Sequence, residues 1–382
     1  MNDASGRPVM SGQPPRSARD PFRLHRLALR AVDPGLKEME LHRLLQTIGE
    51  SGVPGFFKTL NELGVASYWH QTILTNTAAS ATAPGLLDIL KPVRLSEAML
   101  YMAQKSALIE IDRLFEDRKI AFAVIKGAHV REQVYADPAL RSAGDIDILV
   151  SRDQREYAVR ELLKVGYVLH VNPENISHEA TLSRGAVAID LHWDILRPGR
   201  TRIEVADLLL ARRQRVDGYW GLDDTDTVFL MLVHPAFAKY VCSPNMGLNR
   251  VFDFILWLQN RPVSWDAVAA RLAQTGLNAA AWTMLLWFSM LLSPANLQVP
   301  ETFIAGIRPG ALRSRYLTYW VKHDLPTRWL HKPLLIQLGF TLFLHDRPGD
   351  VAHAIAGWWR ARRMQNTDSL VQMLQTTQSC NP

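Results

Sequence analysis

Gly144-Asp145-Ile146-Asp147-Ile148-Leu149-Val150 is the stretch that decides the fold of this 382-residue chain. Read as a β-strand, it places the side chains of Asp145 and Asp147 on one face, because side chains alternate along a strand with a period of two. Ile146 and Ile148 then point from the other face into a core. Two neighbouring carboxylates repel each other unless a cation lies between them, and hard oxygen ligands suit Mg²⁺. The alternative is a solvated edge strand whose polar residues face water.

The segments around this strand predict a compact α/β unit. Residues 121–125 form a short apolar run that is typical of a buried strand, and a helix is expected to begin at Lys126-Gly127. Residues 167–171 predict another strand after a helix. Residues 187–193 alternate apolar and polar side chains, which indicates a half-buried strand with Asp190 on its polar face.

Helical periodicity dominates both sides of this unit. Apolar residues recur at helical spacing over residues 36–90, and Ser96 is a predicted N-cap for a long helix that ends near Arg118. After residue 224 only helical patterns recur. We therefore predict an α+β fold with a mixed sheet, flanked by N-terminal helices and an all-α C-terminal region. The predicted parts are a disordered tail (1–21), an N-terminal helical region (22–118), an α/β core (119–212) and a helical C-terminal domain (213–382).

Composition and charge exclude several classes of protein. Two cysteines are too few for a disulfide framework or a cysteine zinc site, which favours the cytoplasm. The densest apolar run, residues 279–292, is shorter than the ~20 residues that cross a bilayer, so we expect a buried helix and no transmembrane segment. The formal net charge is +6, but residues 91–200 carry equal numbers of basic and acidic side chains and the excess lies beyond residue 300. Without a basic face around the paired aspartates, a nucleic acid is an unlikely partner.

Three features along the chain suit phosphate chemistry. A helix that begins at Lys126-Gly127 offers unpaired backbone N–H groups and the positive end of its dipole to a phosphate. The Asp145 and Asp147 pair follows, and Asp190 lies alone on the polar face of a later strand. Three carboxylates from adjacent strands could hold two Mg²⁺ ions, which is the layout for in-line attack on a nucleotide phosphorus.

On these residues the chain resembles the nucleotidyltransferase superfamily that includes DNA polymerase beta, poly(A) polymerases and kanamycin nucleotidyltransferase. It is most similar to a poorly characterised bacterial family with a Lys-Gly, an arginine just ahead of Gly-Asp-x-Asp, and a later strand that ends in Leu-His-Trp. The corresponding residues here are Lys126-Gly127, Arg141, Gly144-Asp145-Ile146-Asp147 and Asp190-Leu191-His192-Trp193. The resemblance is strongest over residues 120–194.

The resemblance implies a role for each matching residue. Asp145 and Asp147 become the main metal ligands, and Asp190 becomes a third ligand that also helps to deprotonate the acceptor hydroxyl. Nucleotide contacts fall to Lys126, Gly127 and Arg141, with Gly127 in the cradle of the triphosphate. The chain departs from the superfamily in two ways: Ala128 stands where serine or glycine is frequent, and the spacing from glycine to the first aspartate is longer than in many members.

Alternative interpretations of three residues remain open at this stage. Lys126 could be an exposed lysine at the end of a strand. Arg141 could pair with Asp137 or with another carboxylate instead of a triphosphate. His192 is predicted to be a strand-face histidine that is hydrogen-bonded to a neighbour, in preference to a metal ligand.

The function that the resemblance implies is Mg²⁺-dependent transfer of a nucleoside monophosphate from an NTP such as ATP, with release of pyrophosphate. The acceptor would be the hydroxyl of a compact partner, which could be a small molecule, a peptide or a protein. One alternative is a toxin–antitoxin nucleotidyltransferase that modifies a protein or a tRNA. Another is a binding or scaffold protein that keeps the fold without turnover.

Overall fold

A computed structural model describes residues 22–33, 36–170, 177–242, 247–364 and 369–371. The predicted disordered tail, residues 1–21, lies outside the described residues. Within them, the chain forms a seven-stranded mixed sheet surrounded by helices, followed by a mainly helical C-terminal region. The predicted α+β fold class is confirmed.

The N-terminal region is helical, as predicted, but its last helix begins earlier than expected. Its helices are α1 (Arg23–Ala28), α2 (Glu38–Glu62), α3 (Ala66–Leu74), α4 (Thr77–Thr82) and α5 (Pro84–Asp117). Ser96 lies inside α5, so the prediction that it is an N-cap was wrong. The helix starts at Pro84, because proline is favoured in a first helical turn. Its buried residues Leu86 and Leu90 hold the first turns against the core, and the helix continues through Pro92.

The sheet places two long strands at its centre. The strands are β1 (Phe122–Val124), β2 (Asp145–Val150), β3 (Val168–His170), β4 (Glu179–Arg184), β5 (Val187–His192), β6 (Gln214–Val216) and β7 (Tyr219–Gly221). Their order is β3-β4-β5-β2-β1-β7-β6. Strand β2 runs parallel to β5 and antiparallel to β1. The strand that carries the paired aspartates is therefore interior, which contradicts the alternative of a solvated edge strand.

The sheet is larger than the sequence indicated. Strand β4 lies between the predicted strands at residues 167–171 and 187–193, where no strand was predicted, and it pairs with β5 along its whole length. Strands β6 and β7 lie beyond residue 212, in the part assigned to a helical domain, and β7 pairs with β1 through Val124 and Gly221. Asp217 and Gly218, both with positive φ, form the tight turn between β6 and β7. The sheet therefore continues to Gly221, past the predicted boundary.

Helices cover both faces of the sheet and build the C-terminal region. They are α6 (Lys126–Val134), α7 (Arg155–Lys164), α8 (Ala206–Ala211), α9 (Asp224–Ala238), α10 (Asn249–Asn260), α11 (Trp265–Thr275), α12 (Asn278–Leu291), α13 (Pro294–Leu297), α14 (Glu301–Gly306), α15 (Ala311–Lys322), α16 (Leu325–Arg328), α17 (Pro333–Gly339) and α18 (Pro348–Met364). The apolar run at residues 279–292 coincides with α12, which is largely buried. In the described part of the chain, no helix is both long enough and apolar enough to cross a membrane.

Two hydrophobic cores fix the orientation of β2. Ile146 and Ile148 are fully buried in one core, together with Phe115 of α5 and Leu162 of α7. Leu149 packs into the second core, which includes residues of α9, α10 and α12. The aspartates of β2 therefore face α9 and α10, and the cleft between these helices and the sheet is the candidate site.

Candidate functional site

Two adjacent parallel strands bring the three predicted carboxylates together. The register of β2 with β5 sets Asp147 directly beside Asp190, while Asp145 lies one step along the same face. All three side chains line one cleft. Thr181 on β4 donates a hydrogen bond of 2.6 Å to Oδ1 of Asp190, which fixes that carboxylate. Strand pairing alone therefore assembles the acidic group, although Asp190 is distant from the other two in sequence.

An internal cation already neutralises one of these carboxylates. The Nζ atom of Lys126 donates to Oδ1 of Asp147 at 2.7 Å and lies 3.0 Å from Nε2 of His192. The same ring nitrogen of His192 lies 2.9 Å from Asp147 Oδ1. Burial opposes the ionisation of Asp147, but the Lys126 ammonium and the contact with His192 hold the pKa of its carboxyl well below its usual range. Lys126 is thus a partner of the site and not an exposed lysine at a strand end.

The second carboxylate of β2 has the opposite electrostatic environment. Repulsion from Asp147, then burial and then Asp190 raise the pKa of Asp145 to about 6, against the weaker effects of Lys126 and Arg141. A carboxylate that two others repel is stabilised in its charged form by an added cation. Three clustered carboxylates also offer the oxygen ligands that Mg²⁺ prefers. The residues present therefore fit a divalent metal.

Lys126 reaches this position through an unusual backbone conformation. It is the first residue of α6, and its φ of 54° lies in the left-handed region, which side-chain-bearing residues adopt rarely. Such outliers cost of order 1–3 kcal/mol and cluster at functional sites. The outlier lies at the junction of β1 and α6, beside the acidic group.

Arg141 is anchored by an acidic residue of α10. Its Nε and Nη2 atoms donate to the carboxylate of Asp253, the latter at 2.8 Å, and its Nη1 donates to the carbonyl of Ser142 at 2.8 Å. Tyr135 donates a further hydrogen bond of 2.8 Å to Asp253. The interpretation that Arg141 pairs with a carboxylate therefore describes the structure, but the partner is Asp253. Asp137 pairs with Arg94 instead.

Gly127 is required by the close approach of that guanidinium. A Cβ atom at Gly127 would lie 2.1 Å from Nη1 and 2.5 Å from Cζ of Arg141. The resemblance implies that Gly127 belongs to the cradle of a triphosphate. In the structure, the space beside its Cα is filled by Arg141, and the backbone of Gly127 lines the cleft.

The cleft has two adjoining chambers that share the site residues. The first, here called the apolar chamber, encloses about 650 Å³ and the second, the polar chamber, about 1010 Å³, each including its open mouth. The apolar chamber extends past Gly127 and Arg141 to Leu230 and Met231 of α9. Both chambers are lined by a shared group of residues: Lys126, Asp145, Asp147, His234 and Arg250.

The polar chamber contains cations that are costly to bury. It is lined by Arg197, Arg200, Lys239 and Arg250. Burial, reinforced by Arg197, lowers the pKa of Arg200 to about 10. Burial also lowers the pKa of Lys239, with a further contribution from Arg250. Charged groups destabilised in this way gain from a bound anion, so the polar chamber suits a phosphate-bearing ligand.

Sequence reasoning missed Glu179, which lines the polar chamber. Glu179 places Oε2 3.2 Å from Nδ1 of His192, whose other ring nitrogen contacts Asp147, so the histidine lies between two carboxylates. Asp147, Asp190 and His192 also present potential metal-ligating atoms within 4.8 Å of one another. Glu179 gave no signal because β4 was not predicted. The prediction that His192 is a strand-face histidine hydrogen-bonded to a neighbour is confirmed by its contact with Asp147.

Residues 50–293 match a protein family described as uncharacterised nucleotidyltransferases. The chain belongs to this family. The match covers more than half of the chain and includes all seven strands, the three carboxylates, and helices α9 to α12. The predicted enzyme class, a nucleotidyltransferase, is thereby confirmed at a general level. No curated protein matches the chain.

Proposed function

We propose that this family member is a cytoplasmic, Mg²⁺-dependent nucleotidyltransferase of the polymerase-beta-like superfamily. It would move a nucleoside monophosphate from an NTP, with ATP as one candidate, to the hydroxyl of a compact acceptor. One observation carries this proposal: the parallel pairing of β2 with β5 sets Asp147 beside Asp190, with Asp145 on the same face. The family match supports the reaction class.

The residues that would hold the metal are Asp145, Asp147 and Asp190. We propose that they hold two ions. When bound, Mg²⁺ supplies positive charge that stabilises the phosphate oxygens during in-line displacement. Asp190 would accept the proton of the acceptor hydroxyl as its oxygen forms a bond to the α-phosphorus. The bond from that phosphorus to the bridging oxygen breaks, and pyrophosphate leaves with the electron pair.

The proposed nucleotide contacts are Lys126, Gly127 and Arg141, which line the apolar chamber together. Gly127 would contribute backbone from the first turn of α6, where N–H groups are unpaired. Arg141 would act with its guanidinium already oriented by Asp253. Arg250, which reaches both chambers, adds a further cation for the phosphates.

Labelling tests the proposal directly. The protein is incubated with Mg²⁺, host lysate and each of the four NTPs labelled at the α-phosphate, and the lysate is then separated into small molecules, proteins and RNA. We expect label in the small-molecule or protein fraction. Label in tRNA would favour the toxin–antitoxin alternative, and absence of transfer with every NTP would favour a scaffold without turnover.

Matched variants test whether transfer of the labelled nucleotide requires the carboxylates of the site. Asp147→Asn and Asp190→Asn should abolish transfer. Asp194→Asn is the control, because Asp194 belongs to the same segment but lines a separate cavity and accepts a hydrogen bond from the backbone of Ile195. Normal turnover by Asp147→Asn with Mg²⁺ would contradict the proposed catalytic role.

A further inference from the structure

The surface built by α15, α16, α17 and the turn that follows exposes a concentration of large apolar side chains. Leu312 is 84% exposed, Leu334 65% and Leu338 59%. We call this surface the C-terminal face, and its exposed apolar residues are Leu312, Tyr319, Trp329, Leu334, Leu335, Leu338 and Phe343. Contiguous exposed apolar surface on a folded protein marks a site of interaction.

Direct contacts between its helices hold the parts of this surface side by side. The hydroxyl of Tyr316 on α15 donates to the carbonyl of Gly339 at the end of α17. The Tyr316 ring packs against Phe343, with ring centroids 4.5 Å apart. Trp320 of α15 stacks on Phe340 and meets the edge of Trp329. The exposed side chains of α15 and α17 therefore flank a shared aromatic contact.

Exposed basic residues are interleaved with these apolar residues along the chain. Between residues 308 and 343 the chain has six basic residues and one acidic residue. Five of the basic residues are exposed, and none of them forms an ion pair with another described residue: Arg308, Arg315, Lys322, Arg328 and Lys332. The acidic residue, Asp324, is partly buried and accepts a hydrogen bond from Thr327. The face is therefore both apolar and positively charged.

We propose that the C-terminal face docks on an anionic lipid membrane. Apolar side chains that project beside lysine and arginine are characteristic of proteins that lie in the membrane interface, where anionic headgroups attract the cations. Trp329 and Tyr319 supply amphipathic rings of the kind that settle at headgroup level. The long stems of Arg328 and Lys332 can contact acyl chains while their charges stay among the headgroups.

The docked face adjoins the catalytic cleft. Gln337, which lies between Leu335 and Leu338 on α17, lines the polar chamber. Thr327 of α16 donates to the carbonyl of Cys242, which follows shortly after Lys239 and Tyr240 in the wall of that chamber. If the proposed function holds, docking presents the cleft to an acceptor at the membrane surface. The docking itself does not depend on turnover.

Sedimentation with lipid vesicles tests the docking. The purified full chain is mixed with vesicles of phosphatidylcholine alone or with one-third phosphatidylglycerol. We expect sedimentation with the anionic vesicles, much weaker sedimentation with the neutral ones, and loss of binding as salt is raised. Lys332→Ala should weaken binding to anionic vesicles about fivefold, because each basic residue near such a surface contributes that order of affinity.

A pair of double variants isolates the apolar contribution. Leu334→Glu/Leu338→Glu should abolish sedimentation with anionic vesicles. The control is Leu95→Glu/Met99→Glu on α5, which has the same spacing and comparable exposure, 55% and 74%. Circular dichroism melting checks that both variants fold, and the control should bind as the wild type does.

Three results would overturn the proposal. The first is a wild-type chain that does not sediment with anionic vesicles. The second is equal loss of binding in both double variants. The third is light scattering that shows a dimer in solution, with Leu334→Glu/Leu338→Glu converting it to a monomer; the face would then be a protein interface. Nucleotide transfer to a water-soluble acceptor is measured separately, so failure of the docking and failure of the proposed reaction are distinguishable.

Discussion

Replacing Gly127 by alanine should destabilise the protein through Arg141. The new Cβ would lie 2.1 Å from Nη1 of a guanidinium that is buried and held by Asp253. The arginine must then move, and its hydrogen bonds to Asp253 weaken. Overpacking costs about 1–3 kcal/mol and complete loss of a buried ion-pair partner about 3–5 kcal/mol. We expect the free energy of unfolding to fall by about 2–4 kcal/mol, between these two limits.

Whether Gly127→Ala lowers or raises the free energy of unfolding depends on Arg141. Gly127 lies in the first turn of α6 and its φ is not positive. Alanine is the better helix former by up to about 1 kcal/mol, so without the steric conflict the substitution should be neutral or stabilising. In an Arg141→Met/Asp253→Asn background, which removes the guanidinium and its charged partner, Gly127→Ala should therefore lose its cost.

Chemical denaturation of the four proteins measures this coupling. Gly144→Ala is the matched control, because no atom lies within 4 Å of a Cβ at that position and its φ is not positive. Its midpoint of unfolding should match that of the wild type. Wild-type stability of Gly127→Ala, or an equal loss in both backgrounds, would refute the assignment of this glycine to the Arg141 contact.

Three further predictions concern the carboxylates and the cleft. With a metal chelator at pH 8, Asp145→Asn should stabilise the protein, because it removes a carboxylate that its neighbours repel. Asp147→Asn should destabilise the protein, because it removes the charged partner of Lys126. Thermal melts of the two variants and the wild type measure both effects. Because folding raises the pKa of Asp145, this group contributes stability that is fully present below the usual carboxyl pKa of 3.8 and is lost as pH rises through about 6. The stability advantage of Asp145→Asn over the wild type should therefore grow across that interval. It should diminish when Mg²⁺ is added. Titration against generic RNA and single-stranded DNA at physiological salt should show no tight binding, since Arg308 and Arg313 line a groove separate from the cleft; steeply salt-dependent micromolar affinity would contradict the compact acceptor.

Local patterns were sufficient to predict the acidic face. The alternation of residues 144–150 and 187–193 put Asp145, Asp147 and Asp190 on polar strand faces, and the structure pairs those strands. Period-two alternation is a local property that survives folding, because it is set by the geometry of the strand itself. The buried character of α12 was also predicted, from the length of its apolar run.

Contacts between residues that are far apart in sequence could not be predicted from sequence patterns. Asp253 binds Arg141 from a helix 112 residues away, and no periodicity records such a distance. Lys126 reaches Asp147 only because β1 and β2 are neighbours in the sheet and the lysine adopts an unusual φ. The cation expected beside the aspartates was therefore assigned to a metal alone, although the chain supplies the ammonium group of Lys126.

Strands β4, β6 and β7 were missed, although β1 and β3, with three residues each, were predicted from their apolar residues. Strand β4 has polar side chains on its open face, including Glu179, Thr181 and Ser183, so it resembled a loop. Strands β6 and β7 have three residues each. One signal was available: Asp217-Gly218 is a dipeptide typical of a two-residue hairpin turn, and it could have identified both strands.

The place of β1 between β2 and β7 sets an order of events during synthesis. When β2 and β5 have left the ribosome, β1 still has one open edge, because its neighbour β7 ends only at Gly221. Unpaired strand edges on nascent chains recruit other strands. The acidic site can thus be assembled before β7 covers this edge of β1. A chaperone that shields strand edges would act in the interval between these two events. A ribosome stalled before residue 221 should hold a nascent chain that such a chaperone binds, and one stalled well after it should not.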